Sequence, residues 1–250
     1  MCLILFAFHP DAEIPLIVAA NRDEFHAREA AAAAFWSDDE NILAGRDLVA
    51  GGSWLGCTQT GRFAALTNFS SPEDPLAPKS RGELVHGFLA NNDSAEHFAH
   101  HLTGHDYAGF NLLLYDGEQL VYTSNRGVTE ILKPGYWGLS NAEFGATWPK
   151  CIDGARGLRD ILTRTHSDED LLEMLADTSV PSDDTLPHRG RPIETERRIA
   201  PRFIDGDEYG TRASTILKLG RRHAHFVEQT YGPNAEMGGR VSFDFELTSA

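Results

Sequence analysis

Apolar runs of strand length, separated by turn residues, fill the first third of the chain. "CLILFAF" at 2–8 and "PLIVAANR" at 15–22 are joined by the turn "HPDAEI", and "SWLGCT" at 53–58 and "RFAALTNF" at 62–69 by "QTG". Both pairs read as hairpins. After the loop "SSPEDPLAPKS", the spacing changes. "RGELVHGFLANN" and "SAEHFAHHLTGH" carry apolar residues at helical intervals, with Ser94 placed as an N-cap. "AGFNLLLYDGEQLVYTSNRG" returns to a hairpin, turning at Asp116 and Gly117, and "TEILKPGYWGLSN" continues extended. "WPKCIDGARGLRDILTR" and "SDEDLLEMLAD" predict two more helices, the second opened by Ser167 and acidic residues that suit the helix dipole. The polar, Pro-rich stretch 178–203 predicts a long loop, of a length that marks a lid or a site wall. "TRASTILKLG", "HAHFVEQTYG" and "VSFDFEL" then alternate as antiparallel strands. The order of strands, helices, strands, helices, strands predicts one α+β domain over 1–250, a four-layer αββα sandwich of two antiparallel sheets.

Composition narrows the partners. A net charge of −15 repels phosphate backbones and anionic lipid, which excludes counterion-driven nucleic-acid binding. Cys2, Cys57 and Cys151 are an odd number without a CxxC pair, so neither a disulfide framework nor a cysteine zinc site is expected. A reducing, cytoplasmic setting fits them. The first eight residues are apolar but lack a basic flank and a cleavage site, and no apolar run reaches the length of a membrane span.

Candidate chemistry begins at Cys2. Methionine aminopeptidases remove Met1 before a small residue, and a chain starting at Cys2 would hold a thiol beside a free α-amine able to take its proton. By position alone, Cys2 reads first as the small apolar start of a buried strand. Asn21, Arg22, Asp23 and Glu24 close the second run; Arg22 would stabilise a thiolate and Asp23 would fix the amine, unless they form an ordinary strand-end ion pair. Asn68, Asn111 and Asn141 close or interrupt apolar runs where Asn has low strand propensity, and a side-chain amide there can be half of an oxyanion hole or a turn cap. Arg212 enters a late strand. Trp54, after Gly51 and Gly52, and Trp148 offer flat apolar walls or plain core. His97, His100, His101 and His105 form the densest histidine cluster, with 97 and 101 one helical turn apart; without an HExxH motif, they read as a solvated helix face rather than a metal site.

The strings "MCLILFAF", "NRDE", "GGSWLG" (51–56), "LTNF" (66–69), "KSRG" (79–82), "GFNLL" (109–113), "GLSN" (138–141) and "YGTRASTIL" (209–217) resemble the NRDE-domain family, which includes the transport-and-Golgi-organisation proteins. That family is more distantly similar to the N-terminal-nucleophile (Ntn) hydrolases of the penicillin V acylase and bile salt hydrolase type. The resemblance implies Cys2 as nucleophile, Arg22 and Asp23 as the pair tuning its thiol and amine, Asn68 or Asn141 as oxyanion donor, and Arg212 as support. It leaves Asn21, Trp54, Asn111 and Trp148 as substrate-binding candidates. It implies hydrolysis of an amide or thioester of a small amphipathic substrate, with no cofactor required. Alternatively it implies a non-catalytic carrier for haem or for acyl-CoA or lipid. One departure stands out: Arg22 and Asp23 are adjacent, so a strand would point them to opposite faces, and only a loop there is expected to bring both to Cys2.

Overall fold

The computed structural model describes residues 2–69, 77–187 and 189–248; Met1, and with it the expected processing to Cys2, and part of the loop read at 70–80 lie outside them. One antiparallel sheet is built from β1 (Cys2–Phe8), β2 (Leu16–Phe25), β10 (Gly135–Leu139), β11 (Tyr209–Leu219), β12 (His223–Tyr231) and β13 (Met237–Glu246), in the order β10-β1-β2-β11-β12-β13. The other runs in sequence order through β3 (Ala30–Phe35), β4 (Ile42–Asp47), β5 (Leu55–Thr58), β6 (Phe63–Asn68), β7 (Phe110–Tyr115), β8 (Leu120–Ser124) and β9 (Glu130–Ile131). The helices α1 (Gly82–Leu89) and α2 (Ala95–His101) cover this second sheet; α3 (Pro149–Leu162) and α4 (Asp168–Leu175) cover the first.

Strand alternation builds the layers. On β1 the even positions Ile4, Phe6 and Phe8 join the core between the sheets, with Val18, Leu43, Phe63, Leu113 and Phe226, while Leu3, Leu5 and Ala7 pack beneath α3 and α4. A run buried on both faces reads as continuously apolar, as "CLILFAF" does. The expected αββα sandwich is therefore present, with helices on both outer faces.

Several local expectations are refined. β2 continues through "NRDEF" instead of ending in a loop at Arg22. The stretch read as continuous strand at 129–141 is divided: β9 ends one sheet and β10 crosses to pair with β1 in the other. The long loop contains a helix, α5 (Ile193–Ile199), whose single turn-pair buries Glu196 and Ile199. β3 and β4 were not foreseen. The run "AAAAAF" has no alternation to signal a strand, and β3 is held by pairing with β4 and by Glu228, which accepts from Ala33 N at 2.7 Å.

Two contacts hold the outer layers. A Cβ on Gly138 of β10 would lie 2.5 Å from Cys151 O, so only glycine lets α3 lie this close to the sheet. At the other end of that layer, His225 bridges Asp168 (Nε2–Oδ2 2.7 Å) and Asp244 (Nδ1–Oδ1 2.8 Å), and Lys218 Nζ donates to Asp168 at 2.7 Å. Although partial burial opposes it, hydrogen bonding to the two carboxylates raises the His225 pKa; burial likewise opposes the shift at Asp168, which Lys218 and His225 together lower.

Gly138→Ala is expected to cost about 2 kcal/mol or more, because helix backbone rather than a flexible side chain must move; urea denaturation measures it. The His225 clamp has a signed pH dependence. Its folded pKa is raised, so its contribution is complete below the unfolded value of about 6.5 and is lost as pH rises through the folded value. The stability difference between wild type and His225→Gln should thus be larger at about pH 6 than at about pH 9.

Candidate functional site

Cys2 begins β1 on the same face as Ile4, at the end of the sandwich where the inter-sheet core gives way to a cavity of about 470 Å³. The opening has a compositional cause. Opposite Cys2 stand Ala30, Ala31 and Ala32 of β3 and Gly45 of β4, side chains too short to fill the space, and the β3–β4 register slips between Ala31 and Ala34. Trp54 and Leu66 supply apolar wall; Arg22, Asp23, Glu24, Arg28, Arg46, Asp47, Arg81, Arg212 and Glu228 supply charge.

Behind the thiol lies a polar seam. Cys2 N donates to Asn141 Oδ1 at 3.3 Å, and Asn141 Nδ2 donates to Asn68 O at 2.6 Å. Ser140 Oγ donates to Cys2 O at 2.8 Å. Asn141 thus fixes the main chain of Cys2, its Nδ2 donating to Asn68 O and its Oδ1 lying also 3.1 Å from Ser140 Oγ. Asn68 is half-buried and among the residues that line the cavity, and its side chain has no hydrogen-bond partner among the described residues.

β1 and β2 pair with Cys2 opposite Arg22. Arg22 shares the inter-sheet face with the thiol, and its guanidinium makes no hydrogen bond or ion pair among the described residues. Asp23 is on the opposite face, 1% exposed, where Thr211 Oγ1 donates to its Oδ1 at 2.7 Å. The adjacent pair does alternate, as expected of a strand. Both nevertheless act on Cys2, because Cys2 is the last paired residue of β1 and the Asp23 backbone N–H lies against its thiol. Burial pushes the Cys2 thiol pKa up and the nearby Asp23 carboxylate adds to the rise, while Arg22 opposes it. Burial likewise raises Asp23, against the pull of Lys150 and Thr211.

Arg212 sits in the β11 bulge between Thr211 and Ala213, so it reaches the cavity beside Arg22. Its Nη1 donates to Phe25 O at 2.9 Å and Arg28 O at 3.0 Å. Cys2, Arg22, Asp23, Trp54, Asn68 and Arg212 therefore converge on the cavity, with Asn141 directly behind. Asn21, Asn111 and Trp148 do not line it. Asn21 donates to Leu175 O and Arg202 O and accepts from Ser214, bracing α4 against the sheet. Asn111 donates to Thr67 Oγ1, Ser140 O and Ala142 O and accepts from Tyr122, which leaves it nothing to offer a ligand. Trp148 precedes α3 and stacks on the Arg189 guanidinium, 4.9 Å from its ring centre. His97, His100, His101 and His105 are all exposed, away from the cavity, on and after α2.

Sequence reasoning missed Ser140 and Glu228. Ser140 lay unassigned inside the quoted "GLSN". Glu228 occupies an inward position after Ala224 and Phe226, a charge in the apolar phase of an alternating strand, which was the available signal.

The model of the family "Transport and Golgi organisation 2" matches residues 1–233, and the chain belongs to that family. It is 34% identical to the Transport and Golgi organization protein 2 homolog of Bos taurus over the whole of both chains. To the Homo sapiens homolog it is 33% identical, over 92% of this chain and 93% of the relative. Among solved structures, it resembles the C2A mutant of conjugated bile acid hydrolase from Clostridium perfringens, with a TM-score of 0.54 at 12% identity, covering 98% and 92% of the two chains. It also resembles the Caenorhabditis elegans ortholog of N-acylethanolamine-hydrolyzing acid amidase, with a TM-score of 0.52 at 11% identity, covering 88% and 93%. At such identities the likeness establishes a shared Ntn-hydrolase-like fold.

Opposite shifts are expected from the two neighbours of the thiol. Asp23→Asn should move the pH midpoint for alkylation of Cys2 by iodoacetamide downward, and Arg22→Gln should move it upward, read by peptide mass spectrometry.

Proposed function

We propose that the cavity is an N-terminal-nucleophile acyl-transfer site that hydrolyses an amide or thioester of a small amphipathic substrate. The observation that carries this reading is the hydrogen bond from Cys2 N to Asn141 Oδ1, which holds the main-chain nitrogen of Cys2 in a fixed orientation beside its own thiol at the cavity wall. In a chain processed to Cys2, that nitrogen is the α-amine. It takes the thiol proton, directly or through one water, and Sγ attacks the substrate carbonyl carbon. The tetrahedral oxygen then carries negative charge. The Asn68 side-chain amide, without another partner among the described residues, would donate to it. Collapse breaks the C–N or C–S bond, and the ammonium returns its proton to the leaving amine or thiolate. Water, deprotonated by the same amine, hydrolyses the acyl-enzyme and releases the carboxylic acid.

A raised thiol pKa suits a nucleophile activated by its own amine, since little free thiolate stands exposed to alkylation or oxidation before substrate binds. Asp23 would hold the ammonium formed in the first step, and Arg22 would offset the charge that develops on sulfur. Support comes also from family membership and from the hydrolase fold of the solved neighbours. Fold alone does not carry an activity, so chemistry at Cys2 is what must be tested.

Intact-mass analysis of cell-made protein should give the mass of a chain beginning at Cys2, and incubation with an acyl substrate should add the acyl mass to the Cys2 peptide. Cys2→Ala should abolish turnover. Asn68→Ala should lower kcat by about 100-fold or more with little change in KM, as expected of a donor used in the transition state. Retained Met1 with no turnover of an acyl substrate would overturn the reading and favour a carrier; undiminished turnover by Cys2→Ala would remove Cys2 as the nucleophile.

A further inference from the structure

Five arginines line the cavity of a chain with net charge −15, and they are not equivalent. Arg28 pairs with Asp47 at 2.7 Å and Arg46 with Asp38 at 2.5 Å. Arg81 donates to Gly109 O at 3.0 Å. Arg22 and Arg212 differ: neither pairs with a carboxylate among the described residues, and the only acceptors met by Arg212 are the carbonyls of Phe25 and Arg28. The bulge at Arg212 seats it next to Arg22, since Ala213 pairs with Arg22 and Thr211 with Asp23.

We infer that Arg22 and Arg212 form a subsite for a carboxylate-sized anion beside Cys2, so that the substrate carries a carboxylate near the bond attacked. The inference deepens the acyl-transfer reading, and its substrate statement rests on that reading. Two guanidinium groups side by side repel one another, and burial weakens their hydration; partial burial and the Arg22 charge lower the Arg212 pKa, against the pull of Glu24. A carboxylate between them relieves the repulsion and satisfies the free N–H donors of Arg22 in the bidentate geometry that guanidinium favours. The carboxylates nearby are otherwise engaged. Glu24 accepts from Phe25 N, Glu228 from Ala33 N, and Asp23 lies on the opposite face of β2, bonded to Thr211. Glu228 is buried, and that burial raises its carboxyl pKa against the pull of the Ala33 N–H and the Arg22 charge.

Alkylation of Cys2 reads the subsite without requiring turnover. Iodoacetate and iodoacetamide both react by attack of the Cys2 thiolate on the methylene carbon with loss of iodide, and differ in the carboxylate that one carries. The ratio of their rates at the Cys2 peptide cancels any change in thiolate fraction. At low salt this ratio should exceed that of glutathione by about tenfold and fall as salt is added, although the net charge of the chain favours the opposite. Arg22→Gln and Arg212→Gln should each lower it severalfold, and Arg22→Lys should keep part of the effect. A wild-type ratio at or below that of glutathione overturns the subsite, as does a ratio unmoved in both folded Gln variants; where a variant does not fold, the salt dependence of wild type decides. The two readings separate cleanly: iodoacetate selectivity without turnover of any acyl substrate upholds the subsite and removes the hydrolase, and turnover without selectivity does the reverse.

Discussion

Two sheets packed only through apolar side chains can shift against each other, and a thiol at their rim would shift with them. Here they are pinned at one end by a buried polar seam. Thr67 Oγ1 donates to Ser140 O at 2.5 Å, Asn111 donates to the same carbonyl and to Ala142 O, and Tyr122 closes the set on Asn111 Oδ1. Thr67, Asn111 and Tyr122 belong to one sheet; Ser140 and Asn141 follow β10 of the other and hold Cys2 through its carbonyl and its nitrogen. Each such bond contributes about 1 kcal/mol net, but orphaning a buried partner costs about 1–3 kcal/mol, so the seam is held chiefly by the penalty for breaking it.

That seam explains which parts of the site were legible in the sequence. The layers followed from periodicity, because continuous apolar runs and helical spacing report burial directly. Cys2, Arg22, Asn68 and Arg212 stood out as chemistry-bearing residues at strand ends, and the fold gathers them. Asn111 stood out for the same reason, yet its low strand propensity is compensated by four hydrogen bonds inside the core. An unusual residue in a strand signals that its side chain is engaged; sequence alone does not distinguish engagement with a ligand from engagement with the opposite sheet. The alanine strand β3 was invisible for a related reason. Its place is set by partners distant in sequence, above all Glu228, and not by its own pattern.

The cavity follows from the same residues. Where Leu43 and Phe63 would otherwise continue the packing, β3 and β4 present Ala and Gly, and β3 and β11 each carry a bulge at this end of the sandwich. Small side chains leave the volume and the bulges splay the strands around it. Gly52 makes a further adjustment: a Cβ there would lie 2.5 Å from the backbone of Gly82, so the "GGSW" turn and the start of α1 meet main chain to main chain. This close contact brings Trp54 and Arg81 into one wall.

The adjacent Arg22 and Asp23 separate two tasks that one site must perform on one residue. Sulfur and main-chain nitrogen of Cys2 leave its Cα in different directions, and a strand offers its two faces to successive side chains. Arg22, on the inter-sheet face, acts on the sulfur through its charge; Asp23, on the helix-facing side with Thr211 and Lys150 around it, acts from behind the strand. The regular strand keeps them apart, so a single residue step places a positive charge beside the thiol and a negative one on the far side of β2.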